Sequence, residues 1–189
     1  MTRRIFIAIN LPRELIANLG RELLQMQKKF EEAPVKWVGP ENLHLTLAFL
    51  GEIREKKIKE VQKITERVAG RYSPFEIVFK NCGGFPNKEE PRVIWVGVED
   101  GEVVNRIAAE LNDQLKRVGF PQEKREFNAH LTIGRVKRKL KKEESREIFR
   151  ILERIGALKF EVGSIDVMES ILRPEGPEYK TLASLKLKS

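Results

Sequence analysis

Two kinds of hydrophobic spacing alternate along the chain, and each predicts one type of element. Short apolar runs rich in β-branched residues favour strands, and apolar residues that recur every three or four positions favour amphipathic helices. In the first half these patterns predict a strand over residues 4–9, a helix from Pro12 to Phe30, a strand over residues 42–50, a helix from Ile58 to Val68 and a strand over residues 75–79. Residues 81–87, which contain two glycines and a proline, are expected to form a loop.

The second half of the chain follows the same order of elements. It predicts a strand over residues 93–98, a helix from Val104 to Val118, a strand over residues 129–136, a helix from Ile148 to Ile155, strands between Phe160 and Val167, and a last strand over residues 182–187. Each half therefore reads as strand, helix, strand, helix, strand, which predicts two similar lobes.

A repeated local sequence supports this duplication. Residues 42–47 (Asn-Leu-His-Leu-Thr-Leu) resemble residues 128–133 (Asn-Ala-His-Leu-Thr-Ile) position for position, 86 residues apart. That period is too long for a solenoid repeat and fits a duplicated lobe. Because no low-complexity linker separates the halves, we expect one bilobal domain over residues 1–189, with repeat halves of about 1–87 and 91–189 related by a pseudo-twofold axis.

Composition narrows the classes of function. Hydrophobic residues make up 41% of the 189 residues, which is enough for a buried core. The formal net charge of +8 favours a polyanionic partner such as RNA. A single cysteine, Cys82, excludes an internal disulfide and predicts a reducing, cytoplasmic location. No apolar run approaches the roughly 20 residues that span a membrane, and the run over residues 5–9 is too short for a signal peptide, so we expect no membrane contact.

The candidate chemistry lies in the repeated sequence, because His44 and His130 are the only histidines in the chain. Side chains two positions apart on a strand point to one face, so His44 and Thr46 are predicted to share a polar face. The same holds for His130 and Thr132. Two imidazoles can supply a general base and a general acid near neutral pH, and threonine hydroxyls can donate to phosphate oxygens. If the lobes meet about their axis, the four side chains converge on one anionic group.

Other interpretations of these residues remain open. Each histidine could be a half-buried structural residue, since Leu-Thr-Leu is good strand sequence in any protein. A zinc site is disfavoured because zinc usually needs three protein ligands, and the chain offers two histidines and one cysteine without a short-spaced pair. Cys82 is expected to be a small buried thiol rather than a nucleophile. The pattern therefore favours cleavage of a phosphodiester without a metal.

The motifs at residues 44–47 (His-Leu-Thr-Leu) and 130–133 (His-Leu-Thr-Ile) resemble those of the 2H phosphoesterase superfamily. More narrowly, the chain looks like the RNA 2′,3′-cyclic phosphodiesterases, also called 2′-5′ RNA ligases. The blocks that carry this resemblance lie at residues 4–9, 42–51, 92–97, 129–135 and 172–182. The resemblance implies an α+β fold with antiparallel sheets that line a central cleft and helices outside. It also implies hydrolysis of a 2′,3′-cyclic phosphate at an RNA end to a 2′-phosphomonoester, without a cofactor.

The resemblance further implies a role for each histidine. The first-motif histidine of the family is the proton donor and the second is the acceptor, which correspond to His44 and His130. The residues alone do not separate these roles because the two motifs are nearly identical. They also show no third group that orients the imidazoles, since Glu41 and Glu126 fall at non-equivalent positions of the repeat. The same machinery could join a cyclic phosphate to a 5′-hydroxyl as a 2′-5′ link without ATP, an activity that ranks second because water is abundant.

A basic segment after the second motif is a candidate RNA-binding surface. It comprises Arg135, Lys137, Arg138 and Lys139 and runs on to Lys142. These side chains could contact phosphates or belong to a solvated loop, and the sequence favours neither. Arg135 is expected to point the same way as Ile133 unless the strand twists or bulges.

Aromatic residues are candidate stacking platforms for a single-stranded RNA end. Trp37 and Phe85 lie near predicted turns and are expected to be exposed. The other candidates are expected to belong mostly to the core: Phe6, Phe49, Trp95 and Phe127. The expected partner is RNA with a 2′,3′-cyclic phosphate terminus, for instance a tRNA fragment, bound by a monomer. The alternatives are a non-catalytic module that binds RNA ends and a phosphodiesterase for a small cyclic nucleotide.

Overall fold

The structure is a computed structural model that describes residues 1–120, 127–155, 157–174 and 176–188. These residues form nine strands and four α-helices. The strands are β1 (Thr2–Asn10), β2 (Val35–Trp37), β3 (His44–Arg54), β4 (Phe75–Phe85), β5 (Val93–Glu99), β6 (His130–Val136), β7 (Leu158–Val162), β8 (Ser164–Leu172) and β9 (Pro177–Lys186). The helices are α1 (Arg13–Lys29), α2 (Ile58–Ala69), α3 (Glu102–Arg117) and α4 (Lys142–Arg154). The predicted α+β class is therefore confirmed.

All nine strands belong to one curled antiparallel sheet. Their order is β7-β4-β5-β6-β3-β1-β8-β9, and β2 pairs with the end of β6. The strands that carry the repeated motifs, β3 and β6, are neighbours at the centre, with Leu45 opposite Leu131. Apart from the short β2, four strands lie on each side of this central boundary. We call β1, β3, β8 and β9 the first lobe, and β4, β5, β6 and β7 the second lobe.

The two faces of the sheet differ in what they contact. Helix α2 packs on β8 and β9, α3 packs on β3, and α4 packs on β4. On β1, Ile5, Ile7 and Ile9 belong to the large core that the helices cover. Phe6 and Ala8 belong to a separate small cluster, because alternate side chains of a strand point to opposite faces. We call the face that carries Phe6 and Ala8 the cleft face.

Strand β4 extends through a segment that the sequence predicts as a loop. Residues 82–85 pair with residues 93–96 of β5, after a register shift next to Asn81, whose φ is +65°. The glycine at position 83 is required by packing against Trp95 and not by a turn. A Cβ atom at Gly83 would lie 2.2 Å from the ring of Trp95, so only a glycine lets the indole lie across the strand.

Two further strands differ from the prediction. The three residues of β2 pair with residues 134–136 and are too few to give a recognisable pattern. Strand β9 begins at Pro177 rather than at residue 182, because residues 177–181 pair with β8. Within the described ranges, no helix is long and apolar enough to cross a membrane.

Candidate active site

The register of the central strand pair places four polar side chains on the cleft face. Leu45 and Leu131 are directly opposite and fully buried on the helix side of the sheet. Their neighbours along the chain must point to the other face. His44 therefore lies across from Thr132. Thr46 lies across from His130 in the same way.

The two imidazoles are thus diagonal neighbours across β3 and β6. Such diagonal positions are separated by about 7–8 Å between Cβ atoms, within reach of ring side chains. Both histidines and both threonines are partly exposed, so a ligand in the cleft can reach them. The arrangement can surround one small anionic group from two sides.

Each imidazole is oriented by a backbone carbonyl two residues upstream. The Nδ1 atom of His44 lies 2.8 Å from the carbonyl oxygen of Asn42. The Nδ1 atom of His130 lies 2.6 Å from that of Asn128. Because a carbonyl oxygen only accepts hydrogen bonds, Nδ1 carries the proton in both rings. The Nε2 atom of each ring is then the nitrogen that can accept or donate a proton in the cleft.

Acidic side chains do not supply this orientation at His44. The carboxylate of Glu41 accepts a hydrogen bond from the side-chain amide of Asn42, at 3.2 Å. Glu126, the other acidic residue close to a motif, lies outside the described residues. The orienting groups are backbone carbonyls, which the identity of the residue does not reveal.

Aromatic rings pack against both imidazoles. The ring of Phe6 lies 4.9 Å from that of His44, and the ring of Tyr179 meets His44 edge-on at 5.0 Å. On the second lobe, Phe85 meets His130 edge-on at 5.1 Å, with Trp95 behind at 6.3 Å. Phe85 is half-buried beside the histidine, rather than an isolated exposed platform.

These surroundings lower the pKa of both imidazoles. Burial is the main cause, because it disfavours the charged ring. The hydrogen bonds to the carbonyls of Asn42 and Asn128 oppose this effect and raise the pKa. The guanidinium of Arg135 lowers it further at both His44 and His130. Arg135 therefore lies close enough to influence both halves of the site.

A β-bulge explains why Arg135 contributes to the site. Gly134 pairs with Ile94, whereas Thr132 pairs with Trp95, so Ile133 is an extra residue in β6. The bulge reverses the alternation of side chains after it. Ile133 is fully buried while Arg135 is exposed, so the strand shows the exception that the expectation from the sequence allowed, a bulge, and the two side chains do not point the same way.

The first lobe has the same irregularity. Ala48 pairs with Ile7, whereas Thr46 pairs with Ala8, so Leu47 is the extra residue of β3. Phe49 is consequently 44% exposed and is not a core residue. It occupies the position in the first repeat that Arg135 occupies in the second.

Trp37 does not form an exposed platform. Its indole packs on Gly134 of the neighbouring strand, where an added Cβ would lie 3.0 Å from the ring. The Nε1 atom is buried and has no hydrogen-bond partner among the described residues. Trp37 is therefore part of the wall beside the second motif.

The basic segment lies beyond the end of β6. Lys137, Arg138 and Lys139 are exposed and, with Glu90 and Arg92, line a shallow pocket of about 380 Å³. Lys139 forms a salt bridge with Glu90. These cations lie past Arg135 along the chain, and none of them contacts a histidine in the described part of the structure.

The residues that the structure describes contain no cluster of three or more histidine, cysteine or acidic side chains close enough to share a metal ion. Cys82 is buried, and burial raises the pKa of its thiol. Its Sγ atom lies 3.6 Å from the carbonyl oxygen of Phe149, on the side of the sheet covered by α4. It is therefore remote from the cleft face.

Comparison with protein families gives two successive matches to one model, described as LigT like phosphoesterase, over residues 14–95 and 96–179. The chain belongs to this family. The RNA 2′,3′-cyclic phosphodiesterase of Archaeoglobus fulgidus is 38% identical over 185 residues, covering 95% of this chain and 97% of the relative. That of Methanothermobacter thermautotrophicus is 33% identical, covering 99% and 100%.

Solved structures resemble the whole fold. The protein TT0787 of Thermus thermophilus superposes with a TM-score of 0.79 at 28% identity, covering 98% of both chains. LigT of E. coli, in a crystal structure with 3′-AMP, gives a TM-score of 0.76 at 25% identity and covers both chains completely. These similarities confirm the family that the motifs at residues 44–47 and 130–133 resemble.

Proposed function

We propose that this protein hydrolyses the 2′,3′-cyclic phosphate at an RNA end to a 2′-phosphomonoester. The observation that carries the proposal is the convergence of His44, Thr46, His130 and Thr132 on one face of the central strand pair. Membership of a phosphoesterase family whose curated relatives are named RNA 2′,3′-cyclic phosphodiesterase supports the same substrate.

The reaction uses one histidine as base and the other as acid. The Nε2 atom of His130 accepts a proton from water as the water oxygen bonds to phosphorus. The bond from phosphorus to the 3′-oxygen breaks, and Nε2 of protonated His44 donates its proton to that oxygen. The products are a 2′-phosphomonoester and a 3′-hydroxyl. Proton exchange with solvent then returns His130 to its neutral form and His44 to its protonated form.

The threonines and Arg135 stabilise the charge that builds up on the phosphate. The hydroxyls of Thr46 and Thr132 donate hydrogen bonds to its two non-bridging oxygens, which become more negative as water attacks. The guanidinium of Arg135 adds positive charge close to both histidines. A bound phosphate anion raises the pKa of each imidazole, which offsets the lowering caused by burial.

The surrounding surface suits RNA. The exposed cations Lys137, Arg138 and Lys139 attract a polyanion and contact phosphates of a longer strand. Phe49 offers an exposed ring on the cleft face for a base. tRNA fragments with cyclic ends are substrates under this proposal, and the protein acts as a monomer in the cytoplasm. A 5′-hydroxyl in place of water would give a 2′-5′ link, as a secondary activity.

The test compares wild-type protein with His44→Ala and His130→Ala on an oligoribonucleotide that ends in a 2′,3′-cyclic phosphate. Loss of a general acid or base is expected to reduce kcat by about 10²- to 10⁴-fold. The matched control is Lys63→Ala, an exposed residue of α2 outside the cleft. Wild-type rates in either histidine variant would overturn the assignment of acid and base. A stable complex with an unchanged cyclic end would instead identify a binding module.

A further inference from the structure

A second group of polar and cationic side chains lies beyond His44 on the first lobe. Arg4 is two residues from Phe6 on β1 and therefore on the same face, one strand repeat of about 7 Å away. Its Cζ atom lies 4.9 Å above the ring of Phe49, the cross-strand partner of Phe6. Phe6 in turn touches the ring of His44. The rings of Phe6 and Phe49 therefore lie between Arg4 and the imidazole of His44.

Tyr179 is a second polar side chain close to His44. It stands on β9 and its ring packs on Phe6 at 5.1 Å and on His44 at 5.0 Å. Burial raises the pKa of the Tyr179 hydroxyl, and the positive charges of Arg135 and Arg4 act in the opposite direction. The hydroxyl therefore lies within the field of both guanidinium groups and is un-ionised at neutral pH, so it can donate a hydrogen bond.

The two guanidinium groups form no ion pair within the described residues, although Glu52 is the cross-strand neighbour of Arg4. Among the described residues, neither Arg4 nor Arg135 forms a salt bridge, although many other arginines and lysines do. Arg4 is also half-buried, so part of its solvation is already lost. A half-buried guanidinium that forms no salt bridge among the described residues, on the same face as a phenol that can donate, is suited to a phosphate oxygen.

The second lobe lacks this combination. Phe85 takes the edge-on position against His130 that Tyr179 takes against His44, with interplanar angles of 82° and 88°. Phenylalanine has no hydroxyl. The two histidines therefore have similar ring contacts, but of the two rings that meet them edge-on only that of Tyr179, beside His44, carries a hydroxyl.

We propose that Arg4 and the hydroxyl of Tyr179 form a second anion subsite, which binds the phosphodiester on the 5′ side of the terminal nucleotide. This inference rests on the proposed function. In that reaction the 3′-oxygen leaves towards His44, so the ribose lies on the first-lobe side of the phosphorus while water attacks from the second-lobe side. The chain continues from that ribose only through its 5′-oxygen. The next anion of the substrate is then the 5′-phosphate, on the lobe that carries Arg4 and Tyr179.

The subsite predicts a preference for substrates that carry a 5′-phosphate. Cytidine 2′,3′-cyclic phosphate, its 5′-phosphorylated form and a short oligonucleotide with the same end share one reacting group. We expect kcat/KM to be about tenfold or more higher with the 5′-phosphate, because a hydrogen bond to a charged group contributes at least that factor. The oligonucleotide is expected to match the 5′-phosphorylated nucleotide.

The decisive variants are Arg4→Met and Tyr179→Phe. Each is expected to lower the ratio of kcat/KM between the 5′-phosphorylated and unphosphorylated nucleotides several-fold. The ratio cancels any general loss of activity, which matters for Tyr179 because its ring packs on His44. Arg67→Met on α2 removes the same charge from the outer helical layer and is expected to leave the ratio unchanged. Phe85→Tyr adds a hydroxyl on the other lobe and should not raise it.

The outcomes separate this inference from the proposed function. If wild-type protein hydrolyses none of the three substrates, the proposed function fails. If it hydrolyses them with a ratio near one, or if Arg4→Met and Tyr179→Phe keep the wild-type ratio, the subsite is overturned while the proposed function stands. An equal loss on both nucleotides in both variants would mean that these residues only support the fold of the first lobe.

Discussion

Substitution of Gly83 by alanine tests whether the wall behind His130 depends on close packing. The new Cβ atom would lie 2.2 Å from Cζ2 and 2.5 Å from Cη2 of Trp95. Carbon atoms in contact prefer about 3.5–4.0 Å, so the indole has to move by about 1.5 Å. Overpacking of this kind costs about 1–3 kcal/mol. For a domain of this size, each kcal/mol lowers Tm by about 2–4 °C, which gives an expected loss of about 2–12 °C.

The displaced indole is also expected to reduce activity. Trp95 contacts Phe85 at 5.2 Å, and Phe85 packs directly on His130. We therefore expect Gly83→Ala to lower kcat for a cyclic phosphate substrate at temperatures where the variant is fully folded. Thermal denaturation followed by circular dichroism measures the stability, and steady-state kinetics measure the activity.

Gly163→Ala is the matched control, because no atom lies within 4 Å of a Cβ added there. It is expected to keep the wild-type Tm or to raise it slightly. In the double variant Gly83→Ala/Trp95→Phe, the smaller phenyl ring leaves space for the added methyl group. Its loss of Tm should therefore be less than the sum of the losses in the two single variants. If Gly83→Ala melts at the same temperature as the Gly163→Ala control, the packing argument is wrong.

Three further predictions concern the reaction. Arg135→Gln removes a cation that lowers the pKa of His44 and His130. Both limbs of the profile of kcat/KM against pH should therefore move to higher pH. A profile that stays in place or moves to lower pH would contradict this electrostatic role of Arg135. Thr46→Val and Thr132→Val each remove a donor to a phosphate oxygen and should lower kcat about 10- to 150-fold with little change in KM, and a change confined to KM would point to ground-state binding instead. Treatment with EDTA followed by gel filtration should leave kcat unchanged, and activity restored only by added metal would refute acid–base catalysis by the histidines alone.

The two central strands could be predicted because their motifs carry a clear period of two. On β3 and β6 each histidine and threonine alternates with a buried aliphatic residue, and the structure keeps this alternation up to Leu47 and Ile133. The duplication of the motif predicted that both strands have equivalent positions. Their pairing at the centre of the sheet follows from that equivalence.

The direction of Arg135 depended on whether the strand bulges, and the sequence leaves that open. A β-bulge depends on which backbone groups of the neighbouring strand are paired, and the local sequence gives only the weak signal of Gly134 next to Ile133, since a glycine inside a strand often marks a bulge. The prediction for residues 82–85 was wrong for a related reason. Gly83 is required by the indole of Trp95 on the next strand. In the sequence alone, a glycine required by such a distant contact cannot be distinguished from a glycine required by a turn.

The orientation of the imidazoles could not be predicted from side chains because the partners of His44 and His130 are backbone carbonyls. Every residue has a carbonyl group, so only the backbone conformation decides which one meets Nδ1. Tyr179 is different, since it lies in one of the blocks that resemble the family. The sequence contains that residue but does not reveal its contact with His44. The contact depends on the pairing of β8 with β1 and of β9 with β8.

The near symmetry of the two motifs raises the question of how the site distinguishes its two ends. An RNA terminus has no twofold axis, so a site with identical halves would bind it equally well in two orientations, only one of which places the leaving oxygen next to the acid. The motifs themselves do not break this symmetry, because both imidazoles have the same tautomer, the same type of backbone partner and the same direction of pKa shift. The difference comes from outside the motifs, where Tyr179 faces His44 and Phe85 faces His130. Under the proposed mechanism and subsite, residues outside the motifs give direction to a site whose acid and base the motifs supply.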